Sequence, residues 1–149
     1  MTTAYVDIAT ATIYFNDRID DSVWVTATTD QRDRALKTAT RLIDRLNFHG
    51  TKTVSTQENE FPRNGNTTVE TTIQYACCEI AYSLLDGRDP EFESENINTI
   101  VSNIGSVKVG KDVENVPIHM IHNIPSAIAW SYLRPHLVNT SSINVQRIN

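Results

Sequence analysis

The chain has 149 residues, the length of a single domain, and 40% of them are hydrophobic while 21% are charged, as in ordinary globular proteins. Eighteen acidic residues outnumber thirteen basic residues, and the net charge of −5 argues against a protein whose main task is to grip phosphates. No apolar run approaches the roughly 18–20 residues of a membrane span, and the first residues lack the pattern of a signal peptide. We therefore expect a soluble protein that is made in the cytoplasm and has no membrane partner.

The first predicted helix begins after Asp7, because aspartate is a favoured N-cap, and runs to about Asp17. Its apolar residues recur at spacings of three and four, as on the core-facing side of a helix: Ile8, Ala11, Phe15 and Ile19. A short turn over 22–25 then offers Trp24 to the core.

A strongly amphipathic pattern predicts a second helix over about 30–47. Thr28 and Gln31 have the spacing of a capping box, and Gly50 follows where a C-terminal glycine is expected. One arc of this helix is apolar: Ala35, Leu36, Ala39, Leu42, Ile43 and Leu46. The opposite arc, called the cationic face below, consists of Arg34, Lys37, Arg41 and Arg45. This face is either a solvated helix surface or a contact with acidic protein or nucleic acid.

A polar segment over 51–66 contains the turn formed by Phe61, Pro62 and Arg63, in which proline favours a compact bend. Two interpretations of this turn are open. In the first, Phe61 closes the core and Arg63 caps backbone carbonyls. In the second, Arg63 faces a subunit interface or a channel.

A third helix is predicted over about 69–86, with capping-box spacing from Thr67 to Glu70 and a stop at Gly87. Its inner face is predicted to consist of Val69, Ile73, Ala76, Cys77, Ile80, Leu84 and Leu85. Cys78 falls toward the boundary of that face. The loop that follows, over 86–96, has one basic and five acidic residues and is interpreted as a solvated acidic loop.

The last third of the chain predicts a β excursion, a helix and a tail. Residues 105–110 alternate like a short strand that can pair with 116–121, so the excursion covers about 104–121. A last helix begins at Pro125 and is ended or kinked by Pro135. Its predicted core residues are Ile128, Ala129, Tyr132 and Leu133. The predicted fold is therefore mainly α: a small bundle of about four helices over 1–137, with a short β-hairpin before the last helix, followed by an extended tail over 138–149.

No recognisable catalytic pattern is present, and we predict neither an enzyme nor a cofactor nor a metal site. His119 and His122 have the spacing of two metal ligands on a helix, but no motif supplies the further ligands that zinc needs. Cys77 and Cys78 show no neighbouring base or electropositive setting, which a nucleophile requires.

The order of several short motifs resembles the tailed-phage head-tail adaptor (head completion) proteins, some of which are labelled DnaT-like single-strand-binding proteins. The N-terminal motifs are Ala4-Tyr5-Val6, Ala9, Ala11, Tyr14-Phe15 and Trp24, followed by RALKTATRLID over 34–44. Gly50, Gln57, Phe61-Pro62-Arg63 and YACCEIA over 75–81 come next in the family's order. The resemblance covers residues 4–87 well and 104–137 loosely.

The resemblance implies a structural virion protein at the head–tail interface. Such a protein forms a ring, usually of twelve copies, beneath the portal protein, extends the DNA channel and presents a surface to a downstream tail protein (nozzle, stopper or tail tube). Packaged DNA passes through without sequence-specific binding. We expect the apolar residues of the tail, Ile143, Val145 and Ile148, to anchor it to the portal or to a neighbouring subunit.

The alternative function is a single-stranded DNA-binding or replication-accessory module, which is supported by the cationic face and by the label that some family members carry. A single-strand platform combines a basic groove with stacking aromatic rings. The rings predicted to be exposed, Tyr14, Tyr75 and Tyr82, do not interleave with the cationic face.

Overall fold

The computed structural model describes residues 3–90 and 117–138, and the described part is mainly helical, as predicted. Six helices are present there: α1 (Ile8–Asn16), α2 (Ser22–Thr26), α3 (Thr29–Asp44), α4 (Thr71–Leu85), α5 (Ile118–Ile121) and α6 (Ala127–Leu133). A 3₁₀ turn over Arg134–His136 follows α6. These residues contain no strand longer than an isolated bridge, and none of their helices is long and apolar enough to cross a membrane.

Local capping explains where the helices begin. The Asp7 carboxylate accepts a hydrogen bond from the Thr10 N–H at 2.7 Å, and Thr28 and Gln31 form the complete capping box at the start of α3. Both caps were predicted. Pro125 lies two residues before α6, whose N-cap is Ser126, and the Ser126 hydroxyl accepts from the backbone N–H at the third helical position.

The core lies around α4, which packs against α3 on one side and α6 on another, while α1 and α2 cover a further part of it. Because α4 is covered from several directions, seven consecutive residues over 76–82 are buried, and Cys78 is buried rather than at the boundary. The largest fully buried side chains include Trp24, Phe15, Leu36, Ile43, Ile73 and Ile80.

Two predicted core residues are exposed. Ile19 is fully exposed because α1 ends at Asn16, so that residue 19 lies in the connection to α2 rather than on a helical face. Ile128 is half-exposed because α6 turns Ala129 and Trp130 toward the core instead.

Two predicted local structures are wrong. Helix α4 begins at Thr71, with Glu70 as N-cap and no side-chain cap, so the capping box from Thr67 to Glu70 does not form; Glu70 instead accepts from the Asn66 amide. Within the predicted strand 116–121, residues 118–121 form α5, closed by bonds to the Pro117 carbonyl. The rest of the β excursion, over 104–116, and the tail from 139 lie outside the described residues.

Candidate interaction surfaces

The turn over 61–63 is a packed hub rather than an exposed loop. Arg63 is 6% exposed, and its guanidinium donates to the carbonyls of Phe48, His49 and Gly50 at 3.3, 3.2 and 2.6 Å. It also forms an ion pair with Glu60 at 2.6 Å. Arg63 thus caps carbonyls as in the first interpretation of the turn, while a role at a subunit interface stays a prediction.

The N-terminal segment is tied to the same turn through Tyr5. The Tyr5 hydroxyl donates to the Asp44 carboxylate and accepts from the Phe61 N–H at 3.1 Å, and Phe61 itself is buried. Burial, and then the neighbouring Asp44, raise the pKa of Tyr5 well above its usual range. Burial likewise raises the pKa of Asp44. The network therefore joins the N-terminus, α3 and the turn into one body.

The cationic face divides into two halves on α3. Arg34 pairs with Asp30, and Lys37 pairs with Asp33 at 2.7 Å, each four residues earlier on the same helix. Arg41 and Arg45 are exposed and have no acidic partner among residues 3–90 and 117–138. Half of the predicted basic surface is therefore neutralised within its own helix, and the remaining half is a pair of arginines one turn apart.

A groove of about 470 Å³ opens between α1 and α4. Its apolar wall comes from Val6, Tyr14 and Cys78, and its rim carries Ile13, which is 67% exposed, and Tyr75, which is 37% exposed. We call this feature the α1–α4 groove. Sequence patterns did not predict it, because its two sides are more than fifty residues apart in the chain.

Two residues that line the α1–α4 groove, Arg18 and Glu79, form an ion pair whose carboxylate is buried. Glu79 is 5% exposed and accepts two bonds from the Arg18 guanidinium, at 2.9 and 3.1 Å, and one from the Tyr14 hydroxyl at 2.7 Å. The guanidinium also lies 4.1 Å from the centre of the Tyr82 ring. A glutamate inside the apolar run of a central helix was the sequence signal for this arrangement, since a buried carboxylate needs a cationic partner.

Asp17 lines the groove beside this pair, is exposed, and has no cationic partner in the described part of the chain. With Arg18 and Glu79 balancing each other, Asp17 leaves the groove with a net negative charge. A negatively charged groove disfavours phosphate and favours a basic partner.

The aromatic rings lie largely inside the fold. Tyr82 is 8% exposed, contrary to its predicted exposure, because its ring packs against Phe15 and is covered by Arg18. Tyr14 is half-buried, and only Tyr75 among the three predicted rings is exposed. In the described residues, no exposed ring stands on α3 beside Arg41 and Arg45, so the stacking partners of a single-strand platform are missing there.

The cysteines and histidines have structural surroundings. The Cys77 thiol donates to the Leu36 carbonyl, and burial raises its pKa to about 12, which disfavours the nucleophilic thiolate. His119 Nδ1 donates to the Ile124 carbonyl at 2.8 Å, and the His122 ring stacks on Trp130. Residues 3–90 and 117–138 contain no group of three or more potential metal ligands.

The C-terminal segment leaves the fold beside the end of α3. Phe48 and Leu137 form an antiparallel bridge, and the Val138 N–H donates to the Asn47 carbonyl at 3.0 Å. His136 is half-buried against Phe61 and forms a 2.8 Å hydrogen bond with Thr72. The predicted tail anchors Ile143, Val145 and Ile148 lie outside the described residues, and their role stays a prediction.

Comparison with known proteins identifies one family. Residues 2–120 match the family described as "Putative DnaT-like ssDNA binding protein". No curated protein and no solved structure matches the chain. Since the match covers most of the chain, including α1 to α4, the protein belongs to this DnaT-like family.

Proposed function

We propose that the protein is a structural virion protein, a head-to-tail adaptor that forms a ring of about twelve copies beneath the portal and joins the capsid to the tail. The motif order over 4–87 supports this proposal, since it resembles the head completion proteins. The portal protein, a downstream tail protein and neighbouring copies are the proposed partners, and DNA passes through the channel.

The observation that carries the proposal is the chemistry of the described surface. Large apolar side chains are exposed at several places, among them Ile13 and Tyr75 at the α1–α4 groove and Ile118, Ile121 and Ile128 on α5 and α6. Exposed apolar side chains that gather in patches are typical of protein contacts. The net charge of −5 suits a protein that surrounds DNA and lets it pass, because a strongly basic lumen would hold the phosphates.

The direct test is to mix the purified protein with portal rings of the same phage. We expect a complex whose mass and electron micrographs show one added ring. A variant that lacks residues 139–149 retains the residues of the bridge between Phe48 and Leu137. We expect this variant to keep the circular dichroism spectrum and melting temperature of the full chain but to form rings more weakly. If no complex forms at any salt concentration, the adaptor function is wrong.

The second candidate function is single-stranded DNA binding. The family description favours it, and so do Arg41 and Arg45, which have no acidic partner within residues 3–90 and 117–138. Counterion release makes such binding salt-dependent, with a log–log slope of about −1.4 if two arginines each neutralise one phosphate of a single strand. An oligonucleotide titration with the variant R41A/R45A tests this function. The variant R34A/K37A is the matched control, because it removes two cations that are already paired within α3. If the wild type and the two variants bind the oligonucleotide equally well, or if none of the three binds it, single-stranded DNA binding through Arg41 and Arg45 is rejected.

A further inference from the structure

We propose that the α1–α4 groove binds the Arg41 and Arg45 pair of a second copy of this chain. The inference rests on the proposed function, because it assigns the contact between neighbouring subunits of the ring. The groove side is contributed by one copy and the arginine side by the next.

The groove provides what an arginine side chain recognises. Tyr75 presents a partly exposed ring at the rim, and Asp17 presents a carboxylate that no described cation neutralises. A guanidinium can stack on an aromatic ring and donate hydrogen bonds to a carboxylate at the same time, which is why arginine is common in protein interfaces. The exposed Ile13 beside them gives the aliphatic part of an arginine an apolar contact.

The arginine side has the complementary charge. Arg41 and Arg45 lie about 6 Å apart along the axis of α3, since four residues rise about 1.5 Å each. Both are exposed, and both lack the intrahelical acidic partners that Arg34 and Lys37 have. They are therefore the cations of α3 that can form a new ion pair without first breaking an existing one.

A second copy fits the groove better than nucleic acid does. The groove carries Asp17, Glu79 and one cation, Arg18, so phosphates are repelled while a basic helix face is attracted. The groove and the arginine pair share no residues. A contact between two different surfaces of identical copies is heterologous and repeats from copy to copy, which closes a ring when the rotation allows it.

A charge-swap experiment on the full chain tests the inference. The variant R41D/R45D places two carboxylates opposite Asp17, and the variant D17R places a cation opposite the two arginines. We expect each variant to weaken ring assembly on the portal by about 5-fold or more per contact. We expect a similar loss in the self-association of the free protein, measured by sedimentation at high protein concentration and low salt. The combined variant D17R/R41D/R45D restores opposite charges and is expected to recover most of the loss.

The controls separate folding, function and interface. All three positions are exposed, and Asp17 follows the C-terminal end of α1, where an added cation is favourable, so D17R is expected to keep the wild-type melting temperature. Arg41 and Arg45 lie in the last turn and at the C-cap of α3, where carboxylates are unfavourable, so R41D/R45D is expected to melt a few degrees lower, and assembly is measured well below that temperature. The variant R34A/K37A is the matched control for lost positive charge and is expected to assemble normally. If wild-type rings form and R41D/R45D assembles equally well, or the combined variant shows no recovery, the inference is wrong while the adaptor function stands. If the wild type forms no portal complex but its self-association follows the charge swap, the interface stands and the adaptor function fails. If the wild type forms no portal complex and its self-association does not follow the charge swap, the adaptor function and the proposed interface are both wrong.

Discussion

Replacing Arg63 by alanine removes the side chain that joins the turn over 61–63 to the backbone after α3. The guanidinium is 6% exposed and bonds the carbonyls of Phe48, His49 and Gly50 as well as the Glu60 carboxylate. Its loss leaves these carbonyls without their donor and leaves Lys52, at 3.2 Å, as the remaining cation beside Glu60 in the described part of the chain. Breaking one member of a buried ion pair costs about 3–5 kcal/mol.

We take about 3 kcal/mol for R63A, the lower end, because Glu60 is only half-buried and water can reach it. For a domain of this size, 1 kcal/mol corresponds to about 3–4 °C in melting temperature, so the expected decrease is about 10 °C. R63K is the conservative comparison. Lysine retains the charge, but its donors sit on one nitrogen and cannot reach all the acceptors that the three guanidinium nitrogens reach. The decrease for R63K is expected to be smaller than for R63A.

Thermal unfolding followed by circular dichroism, with portal assembly measured below the melting temperature, distinguishes the two interpretations of the turn. A large loss of stability with normal assembly agrees with the packed hub. An unchanged melting temperature together with lost assembly would refute the reasoning and assign Arg63 to a subunit interface or the channel.

Three further predictions test the fold. Ile43 is fully buried whereas Ile19 is fully exposed, so urea titration should show I43A losing about 2–5 kcal/mol and I19A less than about 0.5 kcal/mol; similar losses would contradict the placement of α1. E79Q leaves the Arg18 guanidinium without its carboxylate and is expected to cost about 2–3 kcal/mol in the same assay, and a neutral result would mean that the pair is solvated. Burial lowers the pKa of His136 below its ordinary value of 6.5, so the folded state favours the neutral ring, and its contribution to stability is present above pH 6.5 and is lost as the pH falls toward the lower folded-state pKa. H136N should therefore flatten the pH dependence of the melting temperature in that window, and an unchanged slope would assign it to other groups.

Patterns within a few residues correctly predicted part of the local structure. The caps at Asp7 and Thr28 depend on hydrogen bonds between residues three apart, and the apolar arc of α3 depends on the helical period alone. The mainly helical fold follows from the same patterns. Such features need no knowledge of what lies on the other side of the helix.

The errors arise from competing local partners as well as from contacts between distant parts of the chain. Thr67 had the right spacing for a cap, but α4 begins at Thr71 and Glu70 turns to Asn66 instead. Cys78 and Tyr82 were placed near the surface from the period of one helix, yet α4 is covered by several neighbours, so these two residues are buried as well.

The sequence by itself determined where α1 and α3 begin, that α3 has one apolar and one basic side, and that the chain is acidic overall, because these properties depend on residue type and on neighbours within one or two helical turns. Only the tertiary structure decided that Arg63 is buried in a hub, that Glu79 holds Arg18 and Tyr14, and that Asp17 and Tyr75 share a groove. In each case, residues from separate segments must meet before a carboxylate gains its cation or a ring its neighbour. Burial and pairing are therefore properties of the packed chain, and the residue pattern of a single segment does not contain them.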